Sequence, residues 1–177
     1  KILFACRNFN NMAGVIERMA SIIMNEMIRR GHKVILLTWD PTNSNSYYKL
    51  NPEIIWHKLD LGPSNLKAGW QLRYKRQITI RKIIKKEKPS VMIGFQVGTF
   101  IALRLASIGL RIRSIAAERN SPDLFNFIKN GKKNRFLASL ALSLSNVITI
   151  QLDSYKKKYP LFLRSRILTI SNPVYPC

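Results

Sequence analysis

The sequence predicts an α/β domain, a doubly wound and mostly parallel sheet with helices on both faces, on three observations. First, short apolar runs recur and each ends in a polar group, as buried parallel strands do. They are Ile2–Cys6 before Arg7-Asn8, Val34–Trp39 before Asp40, Val91–Phe95 before Gln96, Ser114–Ala117 before Glu118-Arg119-Asn120, Val147–Ile150 before Gln151, and Ile167–Ile170 before Ser171-Asn172-Pro173. Second, segments with a helical period lie between these runs. Third, the links are short, which favours right-handed crossovers between parallel strands. Ligands of such sheets bind beyond the carboxyl ends of the strands, so the polar tails are the candidate site.

After the opening strand, Ile16–Arg30 reads as a helix, because Ile16, Met19, Ala20, Ile23, Met27 and Ile28 recur near a 3.6 period and Gly31 is placed as a stop. Strand Val34–Trp39 leads into Asp40–Ser46, whose Pro, Asn and Ser content is turn chemistry, and Ile54–Leu59 is a short strand. Leu66–Lys88 is a long helix: Ile80, Ile83 and Ile84 share a face, basic residues surround it, and Pro89 lies just past its end. Beyond strand Val91–Phe95, Thr99–Ile108 is a compact apolar helix and Ser114–Ala117 a strand. Phe136–Leu144 is expected to be a largely buried helix before strand Val147–Ile150. Asp153–Tyr159 is a short helix that Asp153 can cap, and Ile167–Ile170 is the last strand. Residues 1–174 are thus expected to form one domain.

At 177 residues and 46% hydrophobic composition, the chain can bury one substantial core. No segment offers the roughly 18 consecutive apolar residues of a spanning helix, and the apolar start is too short for a signal peptide, so a cytoplasmic location is expected. Cys6 and Cys177 give neither a disulfide framework nor metal-ligand spacing, and Cys6 is expected to be a small core residue. The formal charge of +21 favours polyanions: nucleic acid, anionic lipid or phosphorylated substrates. Its cations gather at Arg73–Lys88, at Lys129–Arg135 and at Lys156–Lys158, outside the strands.

Several short segments then carry a resemblance: Ile2–Ala5; Ala13-Gly14-Val15-Ile16-Glu17-Arg18; Arg30-Gly31-His32-Lys33-Val34; Lys88-Pro89-Ser90-Val91-Met92-Ile93; Glu118-Arg119-Asn120; and Ser171-Asn172-Pro173-Val174. In order and spacing, nearly the whole chain resembles the amino-terminal, acceptor-binding half of GT-B glycosyltransferases of the large retaining group four, bacterial enzymes that build cell-surface glycans. Ala13 departs from the family's first glycine. The resemblance implies one Rossmann-like half of a GT-B fold, with the donor-binding domain and its pair of glutamates outside this chain. It also implies a nucleotide-sugar as donor substrate, a glycan or lipid-linked acceptor, and no metal or further cofactor. In a front-face retaining displacement the leaving diphosphate assists the acceptor, and this half alone is expected to be inactive.

Within that frame, Asn11, Ala13, Gly14 and Glu17 form a candidate loop for a donor diphosphate or an acceptor, because a glycine before a helix start lets backbone N–H groups approach phosphate. The competing reading is that Gly14 only breaks the strand-to-helix link. Gln96, Glu118, Arg119 and Asn120 are candidate acceptor contacts, Arg119 having the fork that suits phosphate. Glu118 and Arg119 forming an internal ion pair is the alternative. Asn172 and Pro173 are expected to be an interdomain hinge. Gln96 lacks the titration of a general base, His32 lies away from the carboxyl-end loops, and His57 has no recognised context, so no catalytic residue is assigned.

The basic helix suggests a second surface: Arg73, Lys75, Arg76, Arg81, Lys82, Lys85 and Lys86 are expected to dock on the anionic inner face of the plasma membrane, each adding at most about 1 kcal/mol. Trp70, Tyr74, Phe125 and Phe127 are candidates to insert at that interface. An alternative of another class is a basic α/β module that binds nucleic acid or another polyanion, although no helix-turn-helix, zinc ligand set or RNA-binding aromatic motif is visible. A dinucleotide-dependent enzyme is disfavoured, because Asn8–Gly14 does not form Gly-x-Gly-x-x-Gly.

Overall fold

The computed structural model describes residues 1–62, 68–127 and 130–172, with residue 125 described by its backbone. Leu66, the side chain of Phe125, Lys129, Pro173, Val174 and Cys177 lie outside the described residues. Seven strands, β1 (Ile2–Ala5), β2 (Val34–Thr38), β3 (Ile55–Lys58), β4 (Val91–Phe95), β5 (Arg113–Ala117), β6 (Val147–Ile150) and β7 (Ile167–Thr169), form one sheet in the order β3-β2-β1-β4-β5-β6-β7. Every pairing is parallel. The chain runs outward from β1 through β2 to β3 and then returns to place β4 on the other side of β1. The strand order therefore reverses between β1 and β4, and a crevice opens at their carboxyl ends.

The helices are α1 (Val15–Arg29), α2 (Trp70–Glu87), α3 (Val97–Ala106), α4 (Gly131–Leu142) and two single turns, α5 (Asp153–Lys156) and α6 (Leu161–Arg164); Pro122–Asn126 is a 3-10 turn. Alternation along β1 divides the core. Leu3 and Ala5 face Ile80 and Ile84 of α2 and Leu103 of α3, whereas Phe4 faces Ala20 and Met24 of α1. A third cluster packs Ile148 and Ile150 of β6 against Phe100, Leu142, Tyr159 and Leu163, on the side that α3 covers.

The stop after α1 is the predicted one. Gly31 takes φ +80°, its N–H donates to Ile28 O (2.8 Å), and the His32 N–H donates to Met27 O (2.9 Å), a Schellman closure that makes His32 part of a helix end. Three expectations change. Residues 68 and 69 precede α2, which begins at Trp70, with Gly69 as its N-cap. The helix expected at Phe136–Leu144 begins earlier, at Gly131, and is not largely buried: Ala138, Ser139 and Leu142 pack inward, while Phe136 (62% exposed), Leu137, Leu140 and the following Leu144 face outward. Its apolar residues outnumber what one packed face holds, so several are left on the outer side. Asp153 is the first residue of α5 and not its cap, which is Leu152; its Oδ1 instead accepts from Thr169 Oγ1 at 3.2 Å.

Candidate functional site

The crevice between β1 and β4 holds a cavity of about 230 Å³ lined by Cys6, Arg7, Asn8, Met12, Ile16, Glu17, Phe95 and Gln96. Tertiary structure thus joins Glu17 and Gln96, which lie far apart in sequence. Gln96 takes φ 67° as the N-cap of α3; its N–H donates to Ala117 O (3.0 Å) and its carbonyl accepts from the Phe100 N–H (3.1 Å). A non-glycine residue held at positive φ at a strand end is a strained position of the kind found at ligand sites.

Gly14 is the N-cap of α1, as the loop reading requires, but the Glu17 carboxylate folds back over it, into the space that a Cβ at Gly14 would fill. That carboxylate occupies the positive end of α1, so an incoming phosphate meets a negative group there and must displace it. Burial raises the Glu17 pKa, its own backbone N–H opposes the rise, and nearby Asp40 adds to it. Asp40 is itself buried and accepts the Phe9 N–H at 2.8 Å. Asn11 and Ala13 are exposed; the Asn11 N–H donates to Asn45 O (2.8 Å), and Asn10 bridges to Ser46, tying this loop to the one after β2.

Glu118 and Asn120 line a different cavity, of about 130 Å³, with Val97, Arg135, Ser139, Lys158 and Tyr159 among its walls. Burial pushes the Glu118 carboxyl up to about 7, against the charge of Arg119 and a hydrogen bond from the Val97 N–H at the start of α3. Glu118 Oε1 is buried without a hydrogen-bond partner among the described residues. The expected alternative, an internal ion pair, does not form: Arg119 Nη1 donates to Ile170 O at 3.1 Å, and its backbone carbonyl accepts from Gln151 Nε2 at 2.8 Å. Arg119 thus braces the ends of β6 and β7. Burial also raises the Tyr159 phenol, with Glu118 adding to it. Asn172 Oδ1 is buried without a partner among the described residues.

The basic helix is corrected at two positions. Arg76 is buried, its Nε and Nη2 donating to Leu61 O (3.1 and 2.9 Å) and Nη2 also to Gly62 O (3.1 Å); a guanidinium spent on carbonyls inside the fold does not reach a membrane. Arg81 Nη1 donates to Ala106 O and Ile108 O, both at 2.8 Å, capping the end of α3. Arg73, Lys75, Lys82, Lys85 and Lys86 remain exposed. His57 gains a context: its Nε2 lies 3.0 Å from Glu87 Oε1, whose Oε2 accepts from Lys1 Nζ at 3.1 Å.

The sequence reading missed a cleft of about 500 Å³ beside the crevice. Arg7, Trp39, Arg73, Arg76, Gln77, Gly98, Thr99 and Leu105 are among its walls. Arg7 was visible as a polar tail of the first strand, yet its meeting with α2 depends on strand order alone.

The fold matches one half of GT-B structures. Sucrose-phosphate synthase from Thermosynechococcus elongatus aligns with a TM-score of 0.72 over 96% of this chain and 47% of that one at 9% identity. UDP-N-acetylglucosamine 2-epimerase from Rickettsia bellii aligns at 0.64 over 97% and 44% at 12% identity. In sequence, the chain is 33% identical over 154 residues to the UDP-N-acetylglucosamine–N-acetylmuramyl-(pentapeptide) pyrophosphoryl-undecaprenol N-acetylglucosamine transferase of Rickettsia rickettsii (strain Sheila Smith), covering 84% of this chain and 36% of that protein. The chain therefore spans about a third of the length of the curated relatives it matches. No family model matches it. These likenesses single out neither group four nor a retaining course.

Proposed function

We propose that this chain is the acceptor-side half of a glycosyltransferase that moves a sugar from a nucleotide-sugar to a lipid-linked acceptor, the donor being held by a second domain outside these residues. The observation that carries the reading is the 33% identity, over 84% of the chain, to a transferase whose name specifies a UDP-sugar and a pyrophosphoryl-undecaprenol acceptor. The strand-order reversal between β1 and β4 supports it, since it opens a ligand crevice where the two halves of such a fold would meet.

In this proposal Gln96 and Glu17 line the acceptor crevice, Glu118 and Asn120 a neighbouring pocket, and Arg119 positions both through the ends of β6 and β7. Asn172 and Pro173 are the proposed interdomain hinge, Pro173 lying outside the described residues. A retaining course would need no base from this half, because the leaving diphosphate then assists the acceptor. An inverted product would instead give the base role to Glu118, whose carboxyl titrates near neutrality.

We further propose that the acceptor is met on the inner face of the plasma membrane. The outward stripe of Phe136, Leu137, Leu140 and Leu144, with exposed Lys132 and Lys133 at its amino end, combines apolar side chains and cations as an interfacial surface does. No described helix is long and apolar enough to cross a membrane.

The test uses the full-length gene product with UDP-N-acetylglucosamine and a pyrophosphoryl-undecaprenol glycolipid. Expected are a glycosylated lipid and, for Arg119→Ala, a higher acceptor KM or a lower kcat. Conversion of the UDP-sugar to its 2-epimer without acceptor would overturn the reading in favour of an epimerase. Salt-sensitive RNA binding with no turnover would favour the polyanion-binding module.

A further inference from the structure

We infer that the cleft walled by Arg7, Arg73 and Arg76 is a phosphate-binding subsite for an amphiphilic organic diphosphate. The inference rests on the acceptor reading above for the identity of that ligand, and on the cleft alone for its charge. At about 500 Å³ the cleft lies within the roughly 300–1,000 Å³ typical of small-molecule sites. Its described charged walls are all arginine, with no carboxylate among them. This contrasts with the α1 end of the crevice, where Glu17 and Asp40 already supply negative charge.

Of the three arginines, Arg7 and Arg73 are exposed, whereas Arg76 is held inside the fold. Arg76 is 6% exposed and anchored on the carbonyls of Leu61 and Gly62, so its charge is fixed in place. Burial, and then the charge of Arg7, lower its pKa: the two cations are close enough to repel. An anion between them would relieve that repulsion, and a guanidinium already immobilised loses little entropy on binding. Gly98 and Thr99, in the first turn of α3, also line the cleft, and apart from its chain neighbours and the backbone of its own helix no atom lies within 4 Å of where a Gly98 side chain would begin. The open backbone there adds helix N–H groups to the cations.

The rest of the wall narrows the ligand. Ile80, Ile101, Ala102 and Leu105 are apolar, and Leu105 is exposed at the rim. Gln77 Oε1 is a buried acceptor without a partner among the described residues. Cations, one hydroxyl-seeking acceptor and an apolar exit together suit a polyprenyl-type diphosphate carrying a sugar better than a free nucleotide, for whose base the described walls offer one aromatic ring, the buried Trp39.

The experiment titrates this chain with inorganic pyrophosphate at about 0.15 M salt, where diffuse attraction is largely screened. It compares the wild type with Arg7→Gln/Arg73→Gln, both exposed, and with Arg111→Gln/Arg113→Gln, which removes equal charge at the amino-terminal end of the sheet. Expected are saturable binding, an affinity loss of about tenfold or more in the first variant and less than about twofold in the second. No saturable binding, or equal losses in both variants, would overturn the inference. The full-length enzyme separates the two proposals. Pyrophosphate binding lost only with Arg7 and Arg73, but no sugar transfer, leaves the subsite standing and sinks the transferase reading. Transfer with an unchanged acceptor KM in Arg7→Gln/Arg73→Gln sinks the subsite and leaves that reading intact.

Discussion

A Cβ placed on Gly94 would stand 2.6 Å from the Cα of Phe100, so α3 lies directly on β4 with no room for a side chain between them. This approach sets the height of the first turn of α3, and with it the position of Gln96, Gly98 and Thr99 at the two cavities beside β1. Gly94→Ala should force the helix outward at a cost of about 1–3 kcal/mol, because the obstacle is backbone and cannot rotate away. Thermal or denaturant unfolding measures the loss; an unchanged midpoint would refute the close approach.

Glu118 makes stability depend on pH in a defined direction. Its carboxyl titrates at about 7 in the fold against an ordinary 4.5, so between those values the folded chain keeps a proton that the unfolded chain has released. Stability should fall as pH rises through that window, by on the order of 3 kcal/mol in total. Glu118→Gln, which needs no proton, should flatten this slope and be the more stable form at pH 8. Urea unfolding of both proteins at pH 5 and pH 8 tests it, and parallel slopes would contradict it.

The Glu17 carboxylate occupies the space beside Gly14, so Gly14→Ala should expel it toward solvent. Burial is the main cause of its raised pKa, and the variant should return Glu17 toward the ordinary carboxylate range. Titration of the Glu17 side-chain carbon by NMR reads this directly. A Glu17 that titrates alike in both proteins would mean that the carboxylate does not lie over the helix start.

The outward stripe on α4 and the buried arginine on α2 predict opposite phenotypes. Phe136→Ser/Leu140→Ser should leave unfolding nearly unchanged but weaken binding to anionic vesicles by about tenfold or more, given roughly 1.5–3 kcal/mol for each such side chain buried. Arg76→Gln should lower stability, since it strands the carbonyls of Leu61 and Gly62, and should do little to vesicle binding. Sedimentation with phosphatidylglycerol vesicles and thermal melts distinguish the two.

Glu87 gives a pH effect of the other sign. Burial alone would raise its pKa, but hydrogen bonds from Lys1 and His57 outweigh that and lower it. Its contribution should be present above the ordinary carboxylate range and be lost as pH falls through the lowered value. Glu87→Gln should therefore reduce the melting temperature at pH 7 and have a diminishing effect as pH falls below the ordinary carboxylate range; an equal reduction throughout would assign Glu87 a packing role.

The sequence alone determined which segments are strands and where several of them stop. Val91–Phe95 and Val147–Ile150 are apolar runs closed by a polar residue, and Gly31 ends α1 by a backbone conformation that glycine adopts freely. It also exposed the carboxyl-end positions of Gln96, Glu118 and Asn120. Tertiary structure alone decided that Gln96 shares a cavity with Glu17 and not with Glu118, that Arg7 meets Arg76, and that the α4 stripe faces outward. The division has a physical cause. Periodicity and turn conformation are fixed by covalent geometry within a few residues, whereas strand order and burial depend on which surfaces meet, and an apolar stripe has the same period whether it lies against a core or faces solvent.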